Sequence, residues 1–451
     1  MAEERENKQG RVAETVTDLL QGGTVPEARR MLNALHPAEI ANLLESFPAP
    51  ERKLLWELVD EANGGDVLLQ VNDEVRSGLI REMDDQELLA ATSGMDMDDL
   101  ADFMQDLPKT LTGEILRSLD NQNRQRLEAV LAYPEDSAGG LMNTDTVTVR
   151  PDVSLDVVLR YLRMRGEMPE LTDHLFVVSR FDHFLGVLRV SDLLTRDPAG
   201  RVEDVLDTEA VAIPAETSDR EVAKMFEDRD LISAPVLDAR GRLIGRITID
   251  DVVDVIREEA ERSILSMAGL GEEEDLFAPI WSSTRRRAVW LGLNLLTALL
   301  AAYVIGLFEA TIQQVVALAV LMPVVASMGG IAGTQTLALV IRALALGQIA
   351  SRNTRALLYK ELGIGVLNGL LWAGILAGIA ILWFGRPALG AIIAAAMTIN
   401  LVVAALSGVG VPLVLKRFGV DPALAGGVVL TTVTDVIGFM SFLGLATFFL
   451  L

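Results

Sequence analysis

The chain has no cysteine and only three histidines, His36, His174 and His183. The first absence excludes a disulfide framework and a thiolate metal site. The second leaves imidazoles too few and too scattered to suggest zinc. No P-loop, no H-E-x-x-H and no catalytic-triad spacing occurs, so the sequence does not read as an enzyme. Residues 1–10 are charged and lack an apolar core, so no cleaved signal peptide is expected. Acids are scarce in one region only. Of 63 acidic residues, four follow Ile280, namely Glu309, Glu361, Asp421 and Asp435, while ten of the 39 basic residues do. The preceding part therefore holds 59 acids against 29 bases. So acidic a surface argues against nucleic acid and against docking on anionic lipid. It fits plain solubility or the collection of divalent cations.

The acidic half divides again. Residues 11–131 carry apolar positions at helical spacing, separated by short joints rich in Pro and Asp. A loose repeat runs through Leu35-His-Pro-Ala-Glu-Ile, Met83-Asp-Asp-Gln-Glu-Leu and Met95-Asp-Met-Asp-Asp-Leu. Each has an apolar residue, a capping residue and an amphipathic helix, which predicts a small α-superhelical domain. Asp96, Asp98, Asp99, Asp102 and Asp106 cluster within it. Aspartate at a helix start is ordinary dipole complementarity, but this density exceeds what capping needs and suggests metal contact.

Residues 138–258 alternate strand-like and helical runs. The unit occurs twice, with Gly186 to Asp192 matching Gly245 to Asp251. It resembles a tandem pair of CBS domains, an α/β regulatory module. Such modules often bind adenine nucleotides through Ser or Thr three residues after the Gly and Asp three further on. Gly245, Thr248 and Asp251 satisfy that pattern, whereas the first copy has Arg189 at the hydroxyl position. At most one nucleotide site is expected, with ATP as its candidate ligand, and an empty structural module fits equally. Residues 250–278 form a connecting helix and linker, with Asp251, Asp254, Glu258 and Glu261 along one face.

Residues 285–451 read as five all-α apolar spans, 288–307, 312–338, 357–384, 388–415 and 423–451, each long enough for a bilayer. Basic clusters at Arg285 to Arg287, Arg342 to Lys360 and Lys416 with Arg417 put those ends in the cytosol. The N-terminal domains are then cytosolic and the C-terminus outside. Pro323, Gly329, Gly330 and Gly333 are expected to break or thin the second helix. Asn368, Asn400 and Ser407 read as interhelical hydrogen bonders. Asp435 is different. A carboxylate near the midplane costs about 2.5–3.5 kcal/mol on insertion scales, and no base in its helix neutralises it. One such group is a poor cation trap. Two, facing across the two-fold axis of a homodimer, suit hydrated Mg²⁺, which keeps its waters and touches one or two carboxylates. Gly427, Thr431, Asp435 and Gly438 share a stripe that leaves room for the water shell.

The order of these parts resembles the MgtE family of magnesium channels and transporters over essentially the whole chain. Its most specific pieces are Tyr133 to Met142, Gly329 to Gln335, and Asp421-Pro422 through Asp435. The resemblance implies a homodimer in the inner membrane with a pore on the dimer axis, lined by the second and fifth spans. Asp435 would hold the hydrated ion beside Thr431 and Gly427, with Asp421, Leu424 and Ile331 at the inner mouth. It also implies a cytosolic magnesium sensor that closes the pore, with Asp99, Asp102, Asp230, Asp251, Asp254 and Glu259 at the matching positions. Two departures stand out. Ile331 replaces the Asn of a Gly-Gly-Asn-Ala-Gly turn, and Ser218, Arg220, Arg262 and Ser263 stand where acids are expected. Arg220 and Arg262 would replace bridging ions with salt bridges and weaken or reset sensing. The rival readings are a broader divalent transporter for Co²⁺ or Mn²⁺, a gradient-coupled transporter, and a membrane-anchored nucleotide sensor.

Overall fold

The computed structural model describes residue 15 and residues 24–92, 95, 97–105, 107, 109–270, 275–349 and 352–451. Asp96, Asp106 and most of residues 11–23 lie outside the described residues. The chain forms two compact units, Met1–Ala260 with Glu273–Ala278, and Glu261–Glu272 with Pro279–Leu451.

The first unit opens with short helices α1 (Val25–Leu32), α2 (Pro37–Glu45), α3 (Ala49–Trp56), α4 (Glu61–Gln70), α5 (Asp73–Ile80), α6 (Asp85–Ala91), α7 (Met97–Gln105), α8 (Lys109–Ser118) and α9 (Asn121–Val130). The first two sequence repeats are capping boxes. At α2, His36 Nδ1 accepts from Ala38 N while Glu39 accepts from His36 N. At α6, Asp84 accepts from Gln86 N and Glu87 N, and Glu87 accepts from Asp84 N. Each box satisfies orphan donors that would otherwise fray a short helix. Leu32, Ile40, Leu44, Leu55, Leu68 and Phe103 are fully buried.

Two three-stranded sheets follow. The first holds β1 (Thr148–Val149), β2 (His174–Val178) and β3 (Phe184–Arg189), with α10 (Leu155–Arg165), α11 (Val190–Thr195) and α12 (Val202–Val205). The second holds β4 (Ile213–Pro214), β5 (Ser233–Leu237) and β6 (Leu243–Thr248), with α13 (Asp219–Arg229) and α14 (Ile249–Met267). In each, the first pair is parallel and the second antiparallel. His174 pairs with Arg189 and Ser233 with Thr248, and the bulge falls at the same place in both copies. The first residues of β2 and β5 meet, with Ser233 Oγ donating to Asp173 at 2.7 Å. The core of the second sheet, including Phe226 and Val236, is continuous with that of the helical domain. The first sheet keeps a separate core around Leu155 and Leu175.

The glycine at the same position of each copy has a packing cause. A Cβ at Gly245 would lie 2.7 Å from Met142 Sδ and 3.0 Å from the carbonyl oxygen of Asn143. One at Gly186 would strike the carbonyl of Asp207. Each glycine admits the chain that enters the opposite copy, through the bridges Asn143 to Arg246 and Val187 to Asp207. A second tie is ionic. Arg52, 5% exposed, makes a two-pronged bond to Asp275, 9% exposed, at 2.8 and 3.1 Å. Arg52 Nε donates to the Leu44 carbonyl, and Asp275 N donates to Glu74.

The second unit is α15 (Ile280–Gly306), α16 (Glu309–Gln314), α17 (Ala317–Ala345), α18 (Thr354–Phe384), α19 (Pro387–Arg417) and α20 (Pro422–Leu450). All but α16 are long and apolar enough to cross a membrane. Three expectations need correction. The first span begins at Ile280, so Arg285, Arg286 and Arg287 lie within the helix rather than before it. The second begins at Ala317, because α16 is a separate helix ended by the non-helical Val315 and held by a 2.8 Å bond between the Thr311 and Thr447 hydroxyls. The stretch from Pro323 to Gly333 is not broken, for α17 runs through it. Its buried glycines are there for close packing: a Cβ at Gly333 would meet Leu430 at 3.0 Å.

Candidate cation groove and sensor

An open groove of about 610 Å³ runs between α17 and α20. Ala326, Gly330, Thr334 and Ala338 line it at four-residue spacing, as do Ser327, Ile331 and Gln335. Thr431 and Asp435 form the α20 side. Asp435 supplies the one carboxylate, and the lining holds no base. Thr431 Oγ1 donates to its own helix at the Gly427 carbonyl (2.9 Å), and Thr334 Oγ1 to the Gly330 carbonyl (2.8 Å). With their protons turned inward, both hydroxyls offer lone pairs to the groove. A carboxylate with neutral acceptors around it suits a hydrated hard cation.

Ile331, 56% exposed, faces this groove; Gly427 sits one turn before Thr431 but does not line it. Asp421 and Leu424 lie outside the lining as well. Asp421 caps α20, accepting from Ala423 N at 2.8 Å, and Leu424 is half-buried in the first turn. Gly330 reads from sequence as a helix breaker, and Ala326, Ser327, Thr334, Gln335 and Ala338 are not singled out there. Their signal is the i, i+4 spacing of small and polar residues in an apolar helix. A second acid was counted in the sequence but given no role. Glu361 in α18 is 4% exposed, accepts from Thr336 Oγ1 at 3.1 Å and lies 3.7 Å from Lys360.

In the first unit, Asp99, Asp102 and Asp251 share one electrostatic neighbourhood. Burial pushes Asp102 up to about 7, helped by Glu135 and Asp99 and opposed by Arg76. Burial also pushes Asp251 up to about 7, with Asp250 beside it, against bonds from Thr248. Asp254 is raised by burial, partly offset by Arg257. Asp230, exposed, ends α13 in the left-handed region at φ 51°, and Glu259 pairs with Arg220 at 2.9 Å. Among the described residues no three Asp, Glu or His side chains converge to hold an ion. The raised pKa values nonetheless mark buried carboxylates crowded by like charge, which fits a divalent ion between helices.

The nucleotide pattern is occupied internally. Thr248 donates to Asp251 from both its backbone N (3.1 Å) and Oγ1 (3.0 Å), and Oγ1 also contacts Asp250. In the other copy Arg189 pairs with Asp207 at 2.9 Å, and Asp192 with Arg196 at 3.1 Å.

Five apolar spans, a cation-suited groove between two of them and a paired α/β module ahead define a multi-pass membrane transporter with an attached α/β part. Family models agree: a divalent cation transporter domain matches residues 322–445, the MgtE intracellular N domain 35–136, and CBS domains 138–198 and 202–258. The magnesium transporter MgtE of Thermus thermophilus is 31% identical over 97% of this chain and 98% of its own. That of Bacillus subtilis is 28% identical over 96% of each. A solved cytosolic domain of the Mg²⁺ channel MgtE in complex with ATP is 31% identical, covers 54% of this chain and 99% of its own, and superposes with a TM-score of 0.49. The chain belongs to the MgtE family, whose members are magnesium transporters and not enzymes.

Proposed function

We propose that this protein is a homodimeric Mg²⁺ channel or transporter of the inner membrane whose ion path is the α17–α20 groove, brought face to face with its copy on the dimer axis. The observation that carries the reading is the groove chemistry: one carboxylate, Asp435, with threonine hydroxyls turned to present acceptors and no base in the wall. Two such grooves form a seat in which Mg²⁺ keeps its waters. Gly427 supplies space one turn away, Ile331 lines the groove opposite Thr431 and Asp435 rather than its inner end, and Asp421 and Leu424 form the inner mouth. In this reading the N-terminal unit lies in the cytosol and the C-terminus outside, an orientation the distribution of basic residues supports. Intracellular Mg²⁺ then acts on Asp99, Asp102, Asp230, Asp251, Asp254 and Glu259, favouring a closed state by relieving carboxylate repulsion. Because Thr248 and Asp251 are bonded to each other, Asp251 serves the metal sensor first, and ATP competes with that bond for the site.

The test is rescue of a magnesium-uptake-deficient bacterium by the wild-type chain and by Asp435→Ala. Wild type restores growth at low Mg²⁺ and the variant does not. Equal rescue by both would remove Asp435 from the path. The family description covers divalent cations generally, so Co²⁺ and Mn²⁺ uptake measured alongside decides selectivity.

A further inference from the structure

Asn400 lies mid-way along α19, away from the groove, and is wholly buried. Its Nδ2 donates to the Val325 carbonyl of α17 at 2.8 Å. The same amide fills the space beside two glycines. A Cβ at Gly329 of α17 would fall inside it, and one at Gly438 of α20 would lie 2.8 Å from Nδ2 and 3.1 Å from Cγ. Asn400 therefore touches the backbones of both groove helices at once. On α17 it contacts the level of Ser327 to Ile331, which line the groove. On α20 it contacts Gly438, three residues, or about 4.5 Å of rise, beyond Asp435.

Asn400 Oδ1 is buried and, among the described residues, finds no hydrogen-bond partner. The amide orientation is fixed by the carbonyl it donates to, so this oxygen is the orphan end. An unmet acceptor in a membrane interior is costly. Alanine in α19 with alanine at Gly329 or Gly438 would pack the same space without that cost. Packing alone thus does not explain an asparagine facing two glycines. A planar amide pinned to one backbone and wedged against another fixes both the separation and the rotation of the two helices.

We infer that Asn400 is a positioning residue for the ion path, setting the width of the α17–α20 groove and the angle at which Thr431 and Asp435 enter it. This rests on the groove being the path of Mg²⁺. Asn400 touches no ion; it acts through Gly329 and Gly438. Because hydrated ions differ in size and in how firmly they hold water, a change in groove width alters the ratio of ions carried as well as the rate.

The experiment measures Mg²⁺ and Co²⁺ uptake into proteoliposomes by the full chain, with folded protein quantified by size exclusion. The variants are Asn400→Ala, Gly438→Ala, the double variant Asn400→Ala with Gly438→Ala, and Asp435→Ala. Each single change at Asn400 or Gly438 lowers Mg²⁺ uptake about tenfold, the coupling expected of residues in contact, and shifts the Mg²⁺ to Co²⁺ ratio. The double variant recovers both, since the new methyl enters the space the amide leaves. Where Asn400→Ala yields no folded protein, Asn400→Ser carries the same comparison. If the single variants fold and keep wild-type rate and ion ratio while Asp435→Ala is inactive, Asn400 is structural and the inference fails. If lost uptake is not restored in the double variant and the ion ratio never moves, it also fails. Wild-type uptake by Asp435→Ala overturns the path assignment itself.

Discussion

Arg220 on α13 reaches Glu259 on α14 across 2.9 Å. An arginine thus neutralises a carboxylate that the family resemblance assigns to the magnesium sensor. The pair is partly exposed, and its contribution to stability is small. Its consequence is electrostatic, for a carboxylate already paired has less to offer a divalent ion. Replacing Arg220 with Glu removes this countercharge from Glu259 and adds a second acid. Affinity of carboxylate sites rises with ligand charge, so the Mg²⁺ concentration giving half protection from protease falls about tenfold in Arg220→Glu. A titration unchanged from wild type would place Glu259 outside the sensor.

Asp102 and Asp251 predict a pH dependence. Both are raised to about 7 by burial, the first with Glu135, Asp99 and Glu258 against Arg76, the second with Asp250 and Asp99 against bonds from Thr248. The folded state therefore holds protons that the unfolded state releases between the ordinary carboxylate range and about 7. Without metal, stability of the first unit is highest at the acid end of that window and falls as pH rises through it. Mg²⁺ competes with the same protons, so its binding tightens from pH 6 to pH 8 by about tenfold per group. Thermal unfolding of the full chain in EDTA, with Mg²⁺ titrations at each pH, checks both signs. Stability rising from pH 6 to 8 in EDTA would contradict the assignment.

How far this was readable from sequence depends on distance along the chain. Capping boxes at His36 and Asp84 were legible because they are local, and so was the duplicated sheet, whose strands keep one spacing. Asp435 was legible because a charge in an apolar run has no structural use. The Arg52 to Asp275 pair was not, since 223 residues separate its partners. The wedge at Asn400 was half legible: the hydrogen bond to another helix was expected, but its fit against Gly329 and Gly438 depends on three helices meeting. The Pro and Gly run in α17 misled, because small residues that admit a neighbour look the same as residues that break a helix.

The buried pair of Arg52 and Asp275 supports a prediction about folding. Removing one partner strands the other in a site where Leu44 and Glu74 complete the bonding. Asp275→Ala should destabilise the first unit by about 3–5 kcal/mol. Exchanging both residues for apolar ones, Arg52→Met with Asp275→Leu, should cost far less, because no charge is left buried. Chemical denaturation of the full chain in detergent compares the two. Equal losses would mean that packing, not the stranded charge, sets the effect.

Ile331 places an apolar side chain on the wall opposite Thr431 and Asp435. A hydrated ion moving past it gains no hydrogen bond for its water shell, and apolar constrictions resist wetting. Ile331→Asn supplies a donor and an acceptor at that point without adding charge. Mg²⁺ flux into proteoliposomes should rise about two- to fivefold, while Ile331→Leu leaves it near wild type. Sensing should be unaffected, because the change adds no charge and leaves every acid proposed to bind intracellular Mg²⁺ in place. The half-inhibiting Mg²⁺ concentration therefore stays constant as the maximal rate increases. A shift in that concentration with no change in rate would instead make Ile331 part of the gate's closing contact.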